Sequence, residues 1–261
     1  MTTISISKTV ELLDAAEEQH VSIAPLTEQQ PTLTVDDAYQ VQLTRIEKKV
    51  NEGDVITGKK IGLTSLAMQN LLNVDQPDYG HLLKSMEVKN GGKVSLSSLF
   101  QPKIEGEIAF VLKKDLVGPN VTVEEVLQAT DYVVASIEIV DSRVKDWKIK
   151  LEDTIADNAS CGLYILSEQK IKIEDVHLPS IEMELIKNGE VVNTGKGTDV
   201  LGNPAACVTW LANKLKTYNV DLKAGEVILA GALSAAVVAE PGDVFTARFT
   251  TLGDVTVEFT E

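Results

Sequence analysis

The sequence predicts an α+β fold in which a helical N-terminal appendage, residues 1–84, packs as one unit with a mixed β-rich core, residues 85–261. Three observations carry this. Apolar residues in the first fifty positions recur at helical spacing. From about residue 85 the chain changes to short β-rich runs separated by turn signals. With 261 residues, 44% hydrophobic and 24% charged, the chain is long and apolar enough for a sizeable core, and disorder is excluded over most of it.

The elements follow in order. Ser7 is placed to cap a helix carrying Val10, Leu13 and Ala16. After Pro31, Thr34 with Asp37 approximates a capping box ahead of the stripe Tyr39, Leu43, Ile46 and Val50, and Gly53 is a stop. "DVITGKKIGLTSLAMQNLL" gives a short strand, a turn, and a helix from about Ser65. Asn90-Gly91-Gly92 and Asn188-Gly189 are turn signals, the second joining "IEMELIK" to "EVVNTG" in a hairpin. Residues 121–130 and 203–217 are helices between strands, and the end of the chain is strand and turn throughout. No internal repeat, low-complexity tract or proline-rich linker appears.

A formal charge of −15 argues against nucleic acid or an anionic membrane as partner, because both require basic patches. The same charge is compatible with divalent cations. Two cysteines, Cys161 and Cys207, make neither a disulfide framework nor a zinc site, which favours a reducing cytoplasm. The first twenty residues lack the basic and apolar regions of a signal peptide, and no run is long enough to span a bilayer.

The chemistry concentrates in "KIEGEIAF", residues 103–110. Strand alternation puts Ile104, Gly106, Ile108 and Phe110 on one face and the two carboxylates, Glu105 and Glu107, on the other. No basic residue lies between them, so the shared face is either solvated or in need of a cation. Glu138 lies inside the apolar run "YVVASIEIVDSR", where a solvent-facing position is hard to arrange. A buried carboxylate must be protonated, paired or metal-bound, and Arg143 is one available partner. Three carboxylates without histidine or cysteine make a hard, all-oxygen set suited to Mg²⁺ or Mn²⁺, provided the two strands are neighbours.

Three further stretches are candidates. In "GKKIGLTS" one of Lys59 and Lys60 is expected to point inward, as a proton carrier or a cation facing an enolate; the alternative is two lysines bordering a turn. "DTIADNASCG" concentrates Asp153, Asp157, Asn158 and Ser160, as a plain polar loop or one that binds an anion. Asp78 lies in the turn-like "QPDYGHLL". Other patterns fail: "NTGKGT" lacks phosphate-loop spacing, and His20, His81 and His177 are too dispersed for zinc or a triad.

Together "KIEGEIAFVLKKDLVGP", "EIVDSRVKDWKIKLEDTIADNASCG", "GKKIGLTSLAMQ", "PDYGHLL" and "VLGNPAACVTWLANKL…LKAGEVILAGAL" resemble the 2-keto-4-pentenoate hydratase family. That family lies in the fumarylacetoacetate hydrolase superfamily and includes 4-oxalocrotonate decarboxylases. The likeness runs in order from about residue 30 to the end. It implies a mixed β-roll or barrel core of the fumarylacetoacetate hydrolase C-terminal-domain type, a homo-oligomer, and a divalent metal held by Glu105, Glu107 and Glu138. It further implies catalytic roles for Lys60, Asp78 and Ser160. "GKGTDVLGNP" departs from the pattern at Thr198 and Asp199, where relatives have small residues, which bears on substrate fit.

The activity so implied is hydration of 2-hydroxypenta-2,4-dienoate to 4-hydroxy-2-oxopentanoate in aromatic meta-cleavage catabolism, with Mg²⁺ or Mn²⁺ as Lewis acid. Lys60 would stabilise the enolate or relay a proton, Asp78 carry a proton or orient water, and Ser160 hold the carboxylate. Association with another enzyme of the same pathway also fits the resemblance. Decarboxylation of 2-oxohex-3-enedioate is the runner-up, because the same chelate is an electron sink for loss of CO₂. An acylpyruvate hydrolase and a catalytically silent metal-binding scaffold stand behind it.

Overall fold

The computed structural model describes residues 5–65, 69–70 and 74–261. Helix α1 spans Ile6–Gln19, α2 Leu26–Gln29 and α3 Val35–Asn51. The cap of α1 is Ser5, whose hydroxyl accepts the Lys8 amide, and not Ser7 as the spacing suggested. Ser5 has the extended backbone a cap requires, whereas Ser7 sits within the first turn and bonds Glu11. The Thr34–Asp37 capping box opens α3 as expected, and Gly53, at φ +108°, lies just past its end. Arg45 on α3 ties the two long helices together, reaching Asp14 at 2.8 Å and Glu17 at 2.6 Å.

The first strands are β1 (Ile56–Gly62), β2 (Asp78–Leu83), β3 (Glu87–Lys89) and β4 (Gly92–Ser95). Next come β5 (Lys103–Leu112), helix α4 (Val123–Ala129) and β6 (Thr130–Val140). Helix α5 (Leu151–Ala156) leads to β7 (Cys161–Leu166), β8 (Ile171–Lys172) and the hairpin β9 (Glu182–Lys187) and β10 (Glu190–Lys196). Helix α6 (Pro204–Leu215) precedes β11 (Val227–Ala232), β12 (Val237–Val238), β13 (Val244–Phe249) and β14 (Gly253–Thr260).

These strands form two sheets. One runs β2-β1-β11-β5-β6-β7-β3, with β12 added to β5 and β8 to β6; the other runs β10-β9-β13-β14-β4. Both are mixed: β1 pairs β11 in parallel, as do β3 with β7 and β4 with β14, while the other ladders are antiparallel. This is the mixed α+β roll expected, with helices at the N-terminal end. The predicted hairpin turn is present, with Asn188 at φ 55° and Gly189 at φ 87°.

The alternation in β5 decides how the sheets meet. Ile104, Ile108 and Phe110 are fully buried with Leu185, Ala247 and Phe245 of the second sheet. Each such side chain contributes about 1.5–3 kcal/mol by leaving water. Gly106 lies between them because the sheets approach too closely for more: a Cβ there would be 3.2 Å from Ala247 and from Met183. The opposite face of β5 is thereby turned away from the second sheet, and it carries Glu105 and Glu107.

Three stretches differ from expectation. Lys59 and Lys60 do not border a turn, since β1 continues through both to Gly62. Gly58 makes this possible, as a Cβ there would lie 1.8 Å from the Val227 carbonyl of the neighbouring strand. Asp78 is no loop residue but the buried first position of β2, opposite Gly62. Residues 153–162 are not a polar loop; they form the end of α5, a buried turn and the start of β7. The helix predicted from about Ser65 falls largely outside the described residues, with Gln69 and Asn70 helical.

Candidate active site

Antiparallel pairing of β5 with β6 places Glu105 directly opposite Glu138 and Glu107 opposite Ser136. One carboxylate oxygen from each of Glu105, Glu107 and Glu138 lies within 4.8 Å of the others. Glu107 and Glu138 are 1% and 0% exposed, which is where bare carboxylates are most costly. Glu107 Oε2 accepts the Gly231 amide of β11 at 2.7 Å. Neither oxygen of Glu138 accepts a hydrogen bond.

Lys60 on β1 supplies one positive charge. Its Nζ lies 3.2 Å from Glu138 Oε1 as an ion pair and donates to the Ala159 carbonyl at 3.0 Å. Both lysines of the pair are buried, on opposite faces of the strand. Lys59 is committed to Glu226 at 2.7 Å, so Lys60 alone faces the acids. Arg143 does not reach Glu138: its Nε pairs with Asp157, and its NH2 donates to the Asp157 carbonyl at 2.7 Å.

Asp78 joins the acids from β2. Its Oδ1 has no hydrogen-bond partner, and a Cβ on Gly62 would stand 2.2 Å from that oxygen and 3.4 Å from Lys60 Nζ. Ser160 is buried, with its hydroxyl 3.2 Å from that of Thr154. Thr154 and the Ala159 carbonyl escaped the sequence reading, because the first sits on a helix with no motif and the second is backbone. The Gly231 amide escaped it too; the signal was a glycine in "LAGALS", which has φ 107° and packs against Thr64.

Electrostatics show that one ammonium is insufficient. Burial pushes Glu105 up to about 7, with the Glu138 charge adding to the rise and Lys60 opposing it. Burial and the charges of Glu138 and Glu105 hold Glu107 well above the carboxylate range. Burial also raises Glu138 and Asp78 against the pull of Lys60. A cluster of hard oxygen donors, two of the three carboxylates buried and Glu138 without a hydrogen bond to either oxygen, fits a divalent cation such as Mg²⁺ or Mn²⁺, which would remove the repulsion. The residues required for such a site are therefore present and mutually placed.

Comparison with known proteins agrees with this architecture. Residues 67–260 match the fumarylacetoacetate (FAA) hydrolase C-terminal family. The chain is 48% identical to a 2-hydroxyhexa-2,4-dienoate hydratase of Comamonas testosteroni, over 92% of each protein. It is 45% identical to a 2-keto-4-pentenoate hydratase of Paraburkholderia xenovorans, over 91% of this chain and 88% of that one. The fold superposes with a TM-score of 0.96 on the 4-oxalocrotonate decarboxylase from Pseudomonas putida G7 complexed with magnesium and adipate, at 37% identity over 99% and 100% of the two chains. The chain belongs to the 2-keto-4-pentenoate hydratase and 4-oxalocrotonate decarboxylase family, within the fumarylacetoacetate hydrolase superfamily.

Proposed function

We propose that the protein is a metal-dependent hydratase that converts 2-hydroxypenta-2,4-dienoate to 4-hydroxy-2-oxopentanoate in the breakdown of aromatic compounds. The observation that carries this reading is the 45–48% identity, over about nine-tenths of the chain, to proteins named 2-hydroxyhexa-2,4-dienoate hydratase and 2-keto-4-pentenoate hydratase. Glu105, Glu107 and Glu138 would hold Mg²⁺ or Mn²⁺. The bound ion would act as a Lewis acid toward the 2-oxo acid.

The side chains supply the remaining requirements. Ketonisation of the dienol places a proton on C5, water adds to C4 of the resulting 2-oxo-3-enoate, and a second proton arrives at C3. Lys60, cationic and 3.2 Å from Glu138, stabilises negative charge developing on the enolate or relays a proton. Asp78 is held toward its protonated form by burial, which suits a group that delivers and recovers a proton. Ser160 donates its hydroxyl to the substrate carboxylate, with Thr154 behind it. We place the enzyme in the cytoplasm as a homo-oligomer, with room for association with a partner enzyme of its pathway. Among the described residues no helix is long and apolar enough to cross a membrane.

One observation favours a second reading. The decarboxylase superposes closely and was complexed with adipate, a six-carbon dicarboxylate. Incubation with Mg²⁺ and freshly generated 2-hydroxypenta-2,4-dienoate, then with 2-oxohex-3-enedioate, separates the two. Loss of dienol absorbance without CO₂ release supports the hydratase. CO₂ release from the dicarboxylate with an untouched dienoate replaces it by the decarboxylase. No turnover of either sinks both.

A further inference from the structure

Three consecutive residues without a glycine among them, Asn158, Ala159 and Ser160, adopt left-handed backbone with φ of 55°, 51° and 52°. L-residues avoid this region at about 1–2 kcal/mol each, so the turn persists only because its surroundings over-determine it. Asn158 acts as a clamp on β2: its Oδ1 accepts the His81 amide at 2.7 Å, and its Nδ2 donates to the His81 carbonyl at 2.9 Å. Asp157, the residue before the turn, is itself anchored: it accepts the Arg143 amide at 2.9 Å and pairs with the Arg143 guanidinium. Gly80 lets β2 come close, since a Cβ there would lie 2.3 Å from the Asn158 carbonyl oxygen.

The product of this conformation is the direction of one carbonyl. The left-handed turn aims Ala159 O at Lys60 Nζ, 3.0 Å away, and the same ammonium lies 3.2 Å from Glu138. An ammonium has three N–H donors. One is committed to the Ala159 carbonyl by a hydrogen bond, while the Glu138 charge holds the head group without one, so the carbonyl sets how the remaining N–H groups are turned. A right-handed or extended turn would carry the carbonyl elsewhere and leave the lysine a rotor tethered only to Glu138.

We infer that Asn158, acting through the strained turn and the Ala159 carbonyl, is a positioning residue that orients the Lys60 ammonium toward substrate. The inference rests on the hydratase reading for its kinetic consequence but not for its geometry. Asn158→Gly keeps a backbone that tolerates positive φ and removes both bonds to His81, so it separates the clamp from the strain.

The test uses full-length protein loaded with Mn²⁺. In Asn158→Gly, kcat is expected to fall at least tenfold, while KM and the Mn²⁺ dissociation constant change less than threefold. A crystal structure is expected to show Lys60 Nζ withdrawn from Ala159 O. Val257→Ala, in the second sheet, serves as the control for stability: it lowers Tm and leaves kcat at wild-type level. If Asn158→Gly does not fold, Gly80→Ala pushes the same turn from β2 and is expected to give the same kinetic pattern. Wild-type kcat in the variant, or an unmoved Lys60 in its structure, overturns the inference. If the wild-type enzyme turns over neither substrate, the hydratase reading fails alone, and the position of Lys60 in the variant structure still decides this one.

Discussion

Glu138→Gln separates a metal centre from a structural ion pair. In the metal-free protein Glu138 faces opposing terms: Lys60 at 3.2 Å and two carboxylates within 4.8 Å. With an effective dielectric of about 20, the attraction is worth about 5 kcal/mol and each repulsion at least about 3.5 kcal/mol when both partners are ionised. Glu105 and Glu107 are both pushed toward their protonated forms, which trims the repulsions until they roughly offset the attraction, so removing the charge while keeping the shape is expected to change metal-free stability by only about 2 kcal/mol. Metal binding is different, because only the folded state holds the three ligands together. A ligand at about one hundred times its dissociation constant stabilises by about 2.7 kcal/mol. For a chain of 261 residues, with an unfolding entropy of about 2.1 cal/mol/K per residue, that corresponds to a Tm rise of about 5 °C. Differential scanning calorimetry with and without Mg²⁺ should show this rise in the wild type and lose it in Glu138→Gln. A structural ion pair predicts the reverse: about 3–5 kcal/mol lost without metal, and no Mg²⁺ response in either protein. That outcome would refute the metal assignment.

Other consequences follow from single contacts. Gly62→Ala puts a Cβ 2.2 Å from Asp78 Oδ1, so the carboxylate must move; kcat should fall about 10–100-fold with metal affinity retained, and unchanged kcat would remove Asp78 from the reaction. Lys60→Met should abolish turnover while leaving Mn²⁺ binding measurable by titration, since the lysine is no ligand. His81 is buried and held at about 3, below its ordinary 6.5, so the unfolded state binds the extra proton. Its contribution to stability is complete above about pH 6.5 and declines by about 1.4 kcal/mol per unit as pH falls toward 3. Gln42 spends its amide N–H groups on the Tyr79 and Ile155 carbonyls, which makes its Oε1 the acceptor from His81 Nδ1. His81→Asn keeps that donor without the titration, and urea melts between pH 7 and 5 should show a shallower decline by about one proton; an equal slope would exclude His81 as its source.

The site was more legible in the sequence than its supports. Glu105 and Glu107 stood out because strand alternation set two like charges on one face, and Glu138 because an acid interrupted an apolar run. Their union required only that β5 and β6 be neighbours, which short antiparallel connections favour. Lys60 could not be chosen over Lys59 from the residues, since both are buried and only the strand's facing decides which meets Glu138 and which meets Glu226. The segment 153–162 misled because its polar residues suggest solvent. In the fold Asp153 receives the Thr27 amide and hydroxyl, Asp157 receives Arg143, and Asn158 clamps β2. Those partners lie on distant elements, so no local pattern announces them. Ser5 and Ser7 show the same limit at small scale: either hydroxyl suits a cap, and the backbone where the helix starts makes the choice.

On the proposed function, this carboxylate cluster, loaded with a divalent ion, adds water to a dienoate. The most direct measurement is ¹H NMR of 2-hydroxypenta-2,4-dienoate incubated with EDTA-stripped protein before and after Mg²⁺ is restored. The expected product is 4-hydroxy-2-oxopentanoate, with its C5 methyl doublet, formed only after the metal returns, and none with Glu105→Gln. Hydration at full rate in EDTA, or an untouched dienoate in the Mg²⁺-loaded protein, would contradict it.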